Sequence, residues 1–107
     1  MKKNKYYLFF RRFSDPLRME IILLLKKKPM SVMKLSKHLK IEQSKLSHAL
    51  AILKHCKIVY SEIKGKKRVY YLNKNIVLPL LKLVDKYEKK NCPICLAMKH
   101  CRKINRK

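Results

Sequence analysis

The sequence contains one glycine, no tryptophan and only six acidic residues among its 107 positions. A single glycine excludes the Gly-rich loops that hold nucleotide phosphates. The scarcity of carboxylates leaves no pair suited to general acid–base chemistry. The longest apolar runs, Tyr6 to Phe10 and Ile21 to Leu25, are far shorter than the ~20 residues that span a bilayer. These absences argue against an enzyme and against a membrane-inserted chain.

Basic residues dominate what is present. Lys and Arg number 29, which gives a formal net charge of +23. Such an excess repels itself in a compact state, and the phosphates of DNA or RNA would neutralise it. A solvated Lys-rich surface, as in a thermophile or an AT-rich genome, and attraction to an anionic membrane surface are the alternatives. Hydrophobic residues make up 48% of the chain, enough for the core of one domain.

The first half of the chain has helical periodicity. Residues 4–13 predict a short helix with an aromatic face, and Ser14-Asp15-Pro16 is typical of the start of a second helix that runs to Lys28. A third helix is predicted over 32–39 and a fourth over 43–56, separated by a tight turn at Lys40-Ile41. A short helix, a turn and a longer helix form the helix-turn-helix plan.

The period then changes to that of strands. Residues 58–63 and 68–72 alternate and are rich in β-branched and aromatic residues, and the sole glycine, Gly65, lies in the turn between them. We expect positive φ at Gly65 and one of the consecutive Tyr70 and Tyr71 on each face of the hairpin. A last helix is predicted over 76–90, with Pro79 in its first turn.

These elements predict a mainly α fold with a small β-hairpin, a winged helix-turn-helix of order α-α-α-α-β-β-α. Residues 1–90 would form the DNA-binding and dimerisation domain. Residues 91–107 would form a basic, Cys-containing C-terminal tail.

Three segments carry a family resemblance. The run SDPLRMEIILLL from Ser14 to Leu25, the run IEQSKLSHAL over 41–50 and the hairpin KGKKRVYYL over 64–72 resemble, in order and spacing, the motifs of ArsR-type repressors. The match is collinear from about residue 9 to residue 90. The resemblance implies a homodimer joined through the first and last helices, with one recognition helix per subunit in the major groove, and release from DNA by a metal ion or another stress signal.

The chain departs from that family at its sensors. The Cys-Val-Cys metal site of the family falls on Ser31-Val32-Met33, and the predicted last helix contains no His. Neither common sensor is therefore expected. Glu42 and Ala49 replace a usual Ser and a common His, so the base preference of relatives does not transfer.

The candidate DNA contacts lie on the fourth helix, the wing and the start of the third helix. Gln43 can bond adenine bidentately, and Lys45 can reach guanine or a phosphate. The wing cations would contact phosphates or the minor groove. The alternative for these polar residues is a merely solvated surface. The full candidate set is Gln43, Ser44, Lys45, Ser47, His48, Ser31, Lys34, Lys64, Lys66, Lys67 and Arg68.

The cysteines suggest a metal. Cys92-Pro93-Ile94-Cys95 is a Cys-x-x-Cys knuckle, and His100 and Cys101 follow it, so zinc is a possible cofactor with Cys92, Cys95, Cys101 and His100 as ligands. Cys56, His55 or a second subunit could complete the site. The zinc would be a structural clip or an inducer. A disulfide, a redox pair and inert thiols are the alternatives, and Cys56 alone is explained as a small buried hydrophobe at a helix end.

Together these features predict a cytoplasmic, sequence-specific regulator of double-stranded DNA that has no membrane contact and is not an enzyme. The alternative is a non-specific nucleic-acid-binding winged helix, either chromatin-like or RNA-binding. A protein-interaction module is a further class. The sole enzymatic alternative, Cys-x-x-Cys redox chemistry, lacks the βαβ context expected of it.

Overall fold

The computed structural model describes residues 4–90, and the side chains of residues 4–87. The elements in this range are α1 (Lys5–Phe13), α2 (Pro16–Lys27), β1 (Met30–Ser31), α3 (Val32–Leu39), α4 (Gln43–His55), β2 (Val59–Lys64), β3 (Lys67–Leu72) and α5 (Lys74–Lys90). They form two compact units, one up to Asn73 and one from Lys74 onward. This order confirms the predicted winged helix-turn-helix.

The first three helices begin at side-chain caps. Asn4, Asp15 and Ser31 each accept a hydrogen bond from the backbone N–H three residues later, which satisfies an amide that has no partner within the helix. Pro16 occupies the first position of α2, where its missing N–H costs nothing. The predicted starts of these helices follow from this cap chemistry.

The turn between α3 and α4 depends on a left-handed residue. Lys40 has φ +56° and ψ +47° and caps the C-terminus of α3, with its N–H donating to the Ser36 carbonyl. The Ser36 hydroxyl then donates to the Ile41 carbonyl at 2.7 Å. A left-handed lysine is costly, so these contacts hold the tight turn that the sequence predicted at Lys40-Ile41.

The sheet has one strand more than the predicted hairpin. Its order is β1-β3-β2, all antiparallel, with Met30 opposite Tyr70 and Ser31 opposite Val69. The two residues of β1 are too few to show alternation, so sequence periodicity could not reveal them. Gly65 has φ +64°, as expected for the turn between β2 and β3.

The core of the first unit is aliphatic. Ile21, Leu35, Leu46, Leu50 and Leu53 have no exposed surface. Each such side chain contributes about 1.5–3 kcal/mol when removed from water. The consecutive tyrosines divide as predicted: Tyr70 is buried, whereas Tyr71 is half-buried and stacks on Tyr60 with ring centroids 5.1 Å apart.

Helix α5 forms the second unit in the described range. It begins at Lys74, two residues before the predicted start. The placement of Pro79 in its first turn was therefore wrong: Pro79 is in the sixth position, where its missing N–H leaves the Asn75 carbonyl without its helical donor. Leu83, Val84 and Tyr87 are exposed on this helix. None of the described helices combines the length and the apolar character needed to cross a membrane.

Candidate nucleic-acid interface

Helix α4 separates its core residues from its candidate DNA contacts. Leu46, Ala49 and Leu50 are buried, as predicted. The side chains expected to reach DNA are all exposed, namely Gln43, Ser44, Lys45, Ser47 and His48. The amphipathic spacing thus holds the helix by one face and leaves its first two turns accessible to a partner.

The N-terminus of α4 differs from those of α1, α2 and α3. Glu42 occupies the cap position and makes no side-chain hydrogen bond to the first amides of the helix. The first turn of α4 contains no acidic residue. Amides at a helix start attract anions through the helix dipole, and the first amides of α4 have no side-chain partner, although the Glu42 carboxylate places a negative charge beside them.

The wing and helix α4 meet at one cavity. An open cavity of about 200 Å³ is lined by Gln43, by Ser31, Val32 and Met33 from the start of α3, and by Lys66, Lys67 and Arg68 of the wing. Strand β1 explains the meeting, because the pairing of Ser31 with Val69 draws the start of α3 to the central strand of the sheet. Five of the predicted contact residues are therefore neighbours: Ser31, Gln43, Lys66, Lys67 and Arg68.

A second basic cavity adjoins the first. Its volume is about 380 Å³, and Lys34, Lys37 and Lys67 supply its cations beside Met33. Lys34 was a candidate from the sequence, whereas Lys37 was not. The spacing of Lys37 one helical turn after Lys34 is the signal that could have identified it.

Lys64 has a partner within the wing. Its ammonium lies 5.5 Å from the centre of the Tyr71 ring. A hydrogen bond with Tyr71 and the charge of that side chain raise the pKa of Lys64 above its usual value. Arg68 is also oriented from within the hairpin, since its guanidinium donates to the Ser61 hydroxyl at 3.3 Å. Of the four wing cations, Lys64 is thus the one held against an aromatic ring.

His48 lies beside a different group of residues. It lines an open cavity of about 430 Å³ with Arg11, Arg12 and Arg18 and with His55 and Cys56 from the end of α4. The structure therefore places His48 among cations of α1 and α2, on another part of α4 from Gln43. No pattern in the sequence indicated this cluster.

The predicted zinc ligands Cys92, Cys95, His100 and Cys101 lie outside the described residues, so zinc binding stays a prediction. Within the described part of the chain no three His, Cys, Asp or Glu side chains are grouped as metal ligands. Cys56, one suggested extra ligand, is half-buried at the C-cap of α4 and accepts a hydrogen bond from Arg12 Nε at 2.9 Å.

A helix-turn-helix followed by a basic β-hairpin is the plan of the winged-helix transcriptional regulators. Residues 15–61 match the model of the family described as bacterial regulatory protein, arsR family. An uncharacterised HTH-type transcriptional regulator of Methanocaldococcus jannaschii is 38% identical over 85 residues, covering 78% of this chain and 96% of that protein. The chain belongs to the ArsR family of transcriptional regulators, which are not enzymes.

Other relatives agree with this assignment. The transcriptional repressor SdpR of Bacillus subtilis is 34% identical over 68 residues, covering 64% of this chain and 76% of that protein. Among solved structures, HlyU from Vibrio cholerae has a TM-score of 0.69 at 27% identity, covering 80% of this chain and 96% of that one. Rv0081 of Mycobacterium tuberculosis, at 24% identity, matches in fold with a TM-score of 0.74 over 96% of this chain and 99% of that one.

Proposed function

We propose that this regulator binds double-stranded DNA in a sequence-specific manner, with α4 in the major groove and the wing against the phosphate backbone. The observation that supports this most is the cavity shared by Gln43 and the wing cations Lys66, Lys67 and Arg68. A side chain able to read a base edge and side chains able to neutralise phosphates then face the same duplex.

Specificity would depend on the first two turns of α4. Gln43 is the first residue of that helix and is exposed, so its amide can bond the N6 and N7 edge of adenine. Lys45 would add a contact to guanine or phosphate. Ser44 and Ser47 are short enough to serve either base or backbone. The competing function, non-specific binding of DNA or RNA, would use the same cations without a readable site.

Selection of bound duplexes from a random pool, with the full chain, tests this function. We expect a preferred sequence bound ~10³-fold or more above random duplex at physiological salt. Gln43→Ala should lower the preference at one base pair by about 1–3 kcal/mol. Lys67→Ala is the matched control, because loss of a phosphate contact weakens preferred and random duplexes equally. If the selection yields no preferred sequence, the proposal of sequence-specific binding is refuted in favour of non-specific binding.

We further propose a homodimer as the DNA-binding form. Tyr6, Tyr7 and Phe10 are more than half exposed on α1, and so are Leu83 and Tyr87 on α5. A helix of a monomeric protein rarely presents so many large apolar side chains to water. Each of these two helices thus offers a surface suited to a second copy of the chain.

The regulator would act in the cytoplasm as a repressor. SdpR is a transcriptional repressor, and a dimer seated on a promoter would exclude polymerase by occupying its DNA. A reporter gene placed behind the selected sequence tests this role. Expression should fall when the wild-type chain is present and recover with Gln43→Ala. A rise in expression with the wild-type chain would identify an activator instead.

A further inference from the structure

A cluster of basic residues lies outside the wing, and His48 is the single candidate DNA contact among them. Arg11 and Arg12 of α1, Arg18 of α2 and His48 and His55 of α4 line the cavity of about 430 Å³, together with Ala51, Ile52 and Cys56. No Asp or Glu is among the described residues that line it. Three guanidinium groups thus share one cavity without a carboxylate in its lining.

Two of the three guanidinium groups are held in place by the protein. Arg12 is half-buried and donates from Nε to Cys56 Sγ at 2.9 Å. Arg18 is also half-buried and donates from Nε to the Arg12 carbonyl at 3.0 Å and from Nη2 to the Arg11 carbonyl at 3.3 Å. A guanidinium has more N–H donors than these contacts use, so each retains donors for a ligand.

Like charges gathered in one place repel one another unless an anion lies between them. Guanidinium forks match the oxygens of phosphate and similar groups in geometry as well as in charge. The cavity is within the size range of small-ligand sites, roughly 300–1,000 Å³. The basic side chains that α1, α2 and α4 contribute to this cavity are therefore suited to an oxyanion with several equivalent oxygens.

We propose that this cavity is an oxyanion-binding site for a phosphate-class ligand. Because His48, His55 and Cys56 belong to α4 or its cap, the ligand would join α1 and α2 to the helix that carries Gln43. Occupancy would then change DNA affinity, and DNA would change ligand affinity by the same factor. This coupling rests on the proposed DNA-binding function, whereas the binding of the anion itself does not.

The first test uses inorganic phosphate and the full chain without DNA. Titration calorimetry at fixed ionic strength, with chloride as the replacement anion, should show binding to the wild type. Arg12→Gln should weaken that binding about tenfold or more, since it removes a charge-assisted hydrogen bond. Arg11→Gln is the second variant. Arg11 is exposed, its guanidinium lies 5.9 Å from the centre of the exposed Tyr7 ring, and the hydrogen bond to Cys56 comes from Arg12. Its replacement should therefore disturb the fold less than Arg12→Gln.

Lys26→Gln is the matched control. It removes the same charge from an exposed position in the last turn of α2, outside the lining of the cavity. We expect it to bind phosphate as the wild type does. The site is refuted if the wild type responds to phosphate no more than to chloride, or if Arg11→Gln and Arg12→Gln both bind it as well as Lys26→Gln does.

The second test separates the two sources of the phosphate group. If a DNA phosphate occupies the cavity, Arg12→Gln lowers the log–log salt slope of duplex binding by ~0.9 relative to Lys26→Gln, and free phosphate competes with DNA. If a free oxyanion is the ligand, the slopes of the two variants agree, and phosphate alters DNA affinity in the wild type but not in Arg12→Gln. If phosphate binds but changes neither the salt slope nor the DNA affinity, the coupling to DNA is refuted and the oxyanion-binding site itself stands.

Discussion

Substitution of the two lysines that flank the turn of the wing tests the assignment of the DNA-facing surface. Lys64 and Lys67 pair across the hairpin and carry the same charge. Lys67 lines both basic cavities beside α3, one of which also contains Gln43. Lys64 instead contacts Tyr71. Lys67→Ala should therefore remove a phosphate contact that Lys64→Ala does not.

The size of the effect follows from counterion release. One phosphate contact contributes ~0.9 to the slope of log affinity against log salt. At about 0.15 M salt that amounts to roughly fivefold in affinity, and at about 0.05 M to roughly fifteenfold. Lys67→Ala should show these losses and the smaller slope, whereas Lys64→Ala should remain within about twofold of the wild type at either salt concentration.

Fluorescence anisotropy of a labelled duplex, titrated at several salt concentrations, measures both the affinity and the slope. Each variant changes the net charge by one, so long-range attraction changes equally in the two. Equal losses in Lys64→Ala and Lys67→Ala would show that only the overall charge matters. A greater loss in Lys64→Ala would place the DNA on the other side of the hairpin and refute the assignment.

Three further predictions concern the turn, the dimer and the tail. Gly65→Ala should lower the free energy of unfolding by about 1–2 kcal/mol in urea melts, because φ at this position is +64°. The loss should be no larger, because no atom lies within 4 Å of an added Cβ. A much larger loss would reveal a clash. Leu83→Ser should weaken dimerisation about tenfold or more in sedimentation equilibrium, and the neighbouring Lys82→Ser is the control. Equal dimerisation by the two variants would exclude this face of α5 from the dimer interface. The chain purified without chelator should contain about one zinc ion by elemental analysis. The double variant Cys92→Ser, Cys95→Ser should lose the ion, and Cys56→Ser should keep it. A metal-free wild type would contradict the zinc site.

The elements of the fold were predictable where one local rule determined them. Ser14-Asp15-Pro16 supplies a cap and a first helical residue, and Asp15 does accept the hydrogen bond from the Arg18 amide. The single glycine between two alternating segments located the turn of the wing. Strand β1 was not predictable, because a strand of two residues is defined by its partner β3 and not by its own pattern.

Two left-handed lysines also had no signal in the sequence. Lys40 and Lys57 have φ +56° and +61°, at positions where glycine or asparagine would be expected. Lys40 is stabilised locally, because its N–H donates to the Ser36 carbonyl at the end of α3. The Lys57 carbonyl instead accepts from the Asn73 side chain at 2.8 Å. A contact between residues distant in sequence, like that of Lys57 with Asn73, cannot be inferred from local preference.

The candidate site was predictable in its residue types but not in its grouping. Polar residues early in α4 and cations in the wing pointed to DNA, and the structure brings Gln43, Lys66, Lys67 and Arg68 together. The cavity of Arg11, Arg12 and Arg18 was not predictable. Arg12 and Cys56 are 44 residues apart, and their contact arises from how α1 lies against the end of α4.

Strand β1 has a mechanical consequence for DNA binding. Ser31 caps α3 and, as a residue of β1, pairs with Val69 of the wing, so β1 attaches the start of α3 directly to the hairpin. This pairing restrains the hairpin from moving independently of α3 to follow a wider or narrower groove. In the proposed complex the duplex would then adjust its groove width to the wing, at an energy that depends on the stiffness of the DNA. Sites that contain flexible pyrimidine–purine steps beneath the wing should therefore bind more tightly than stiff A-tract sites with identical contacted bases.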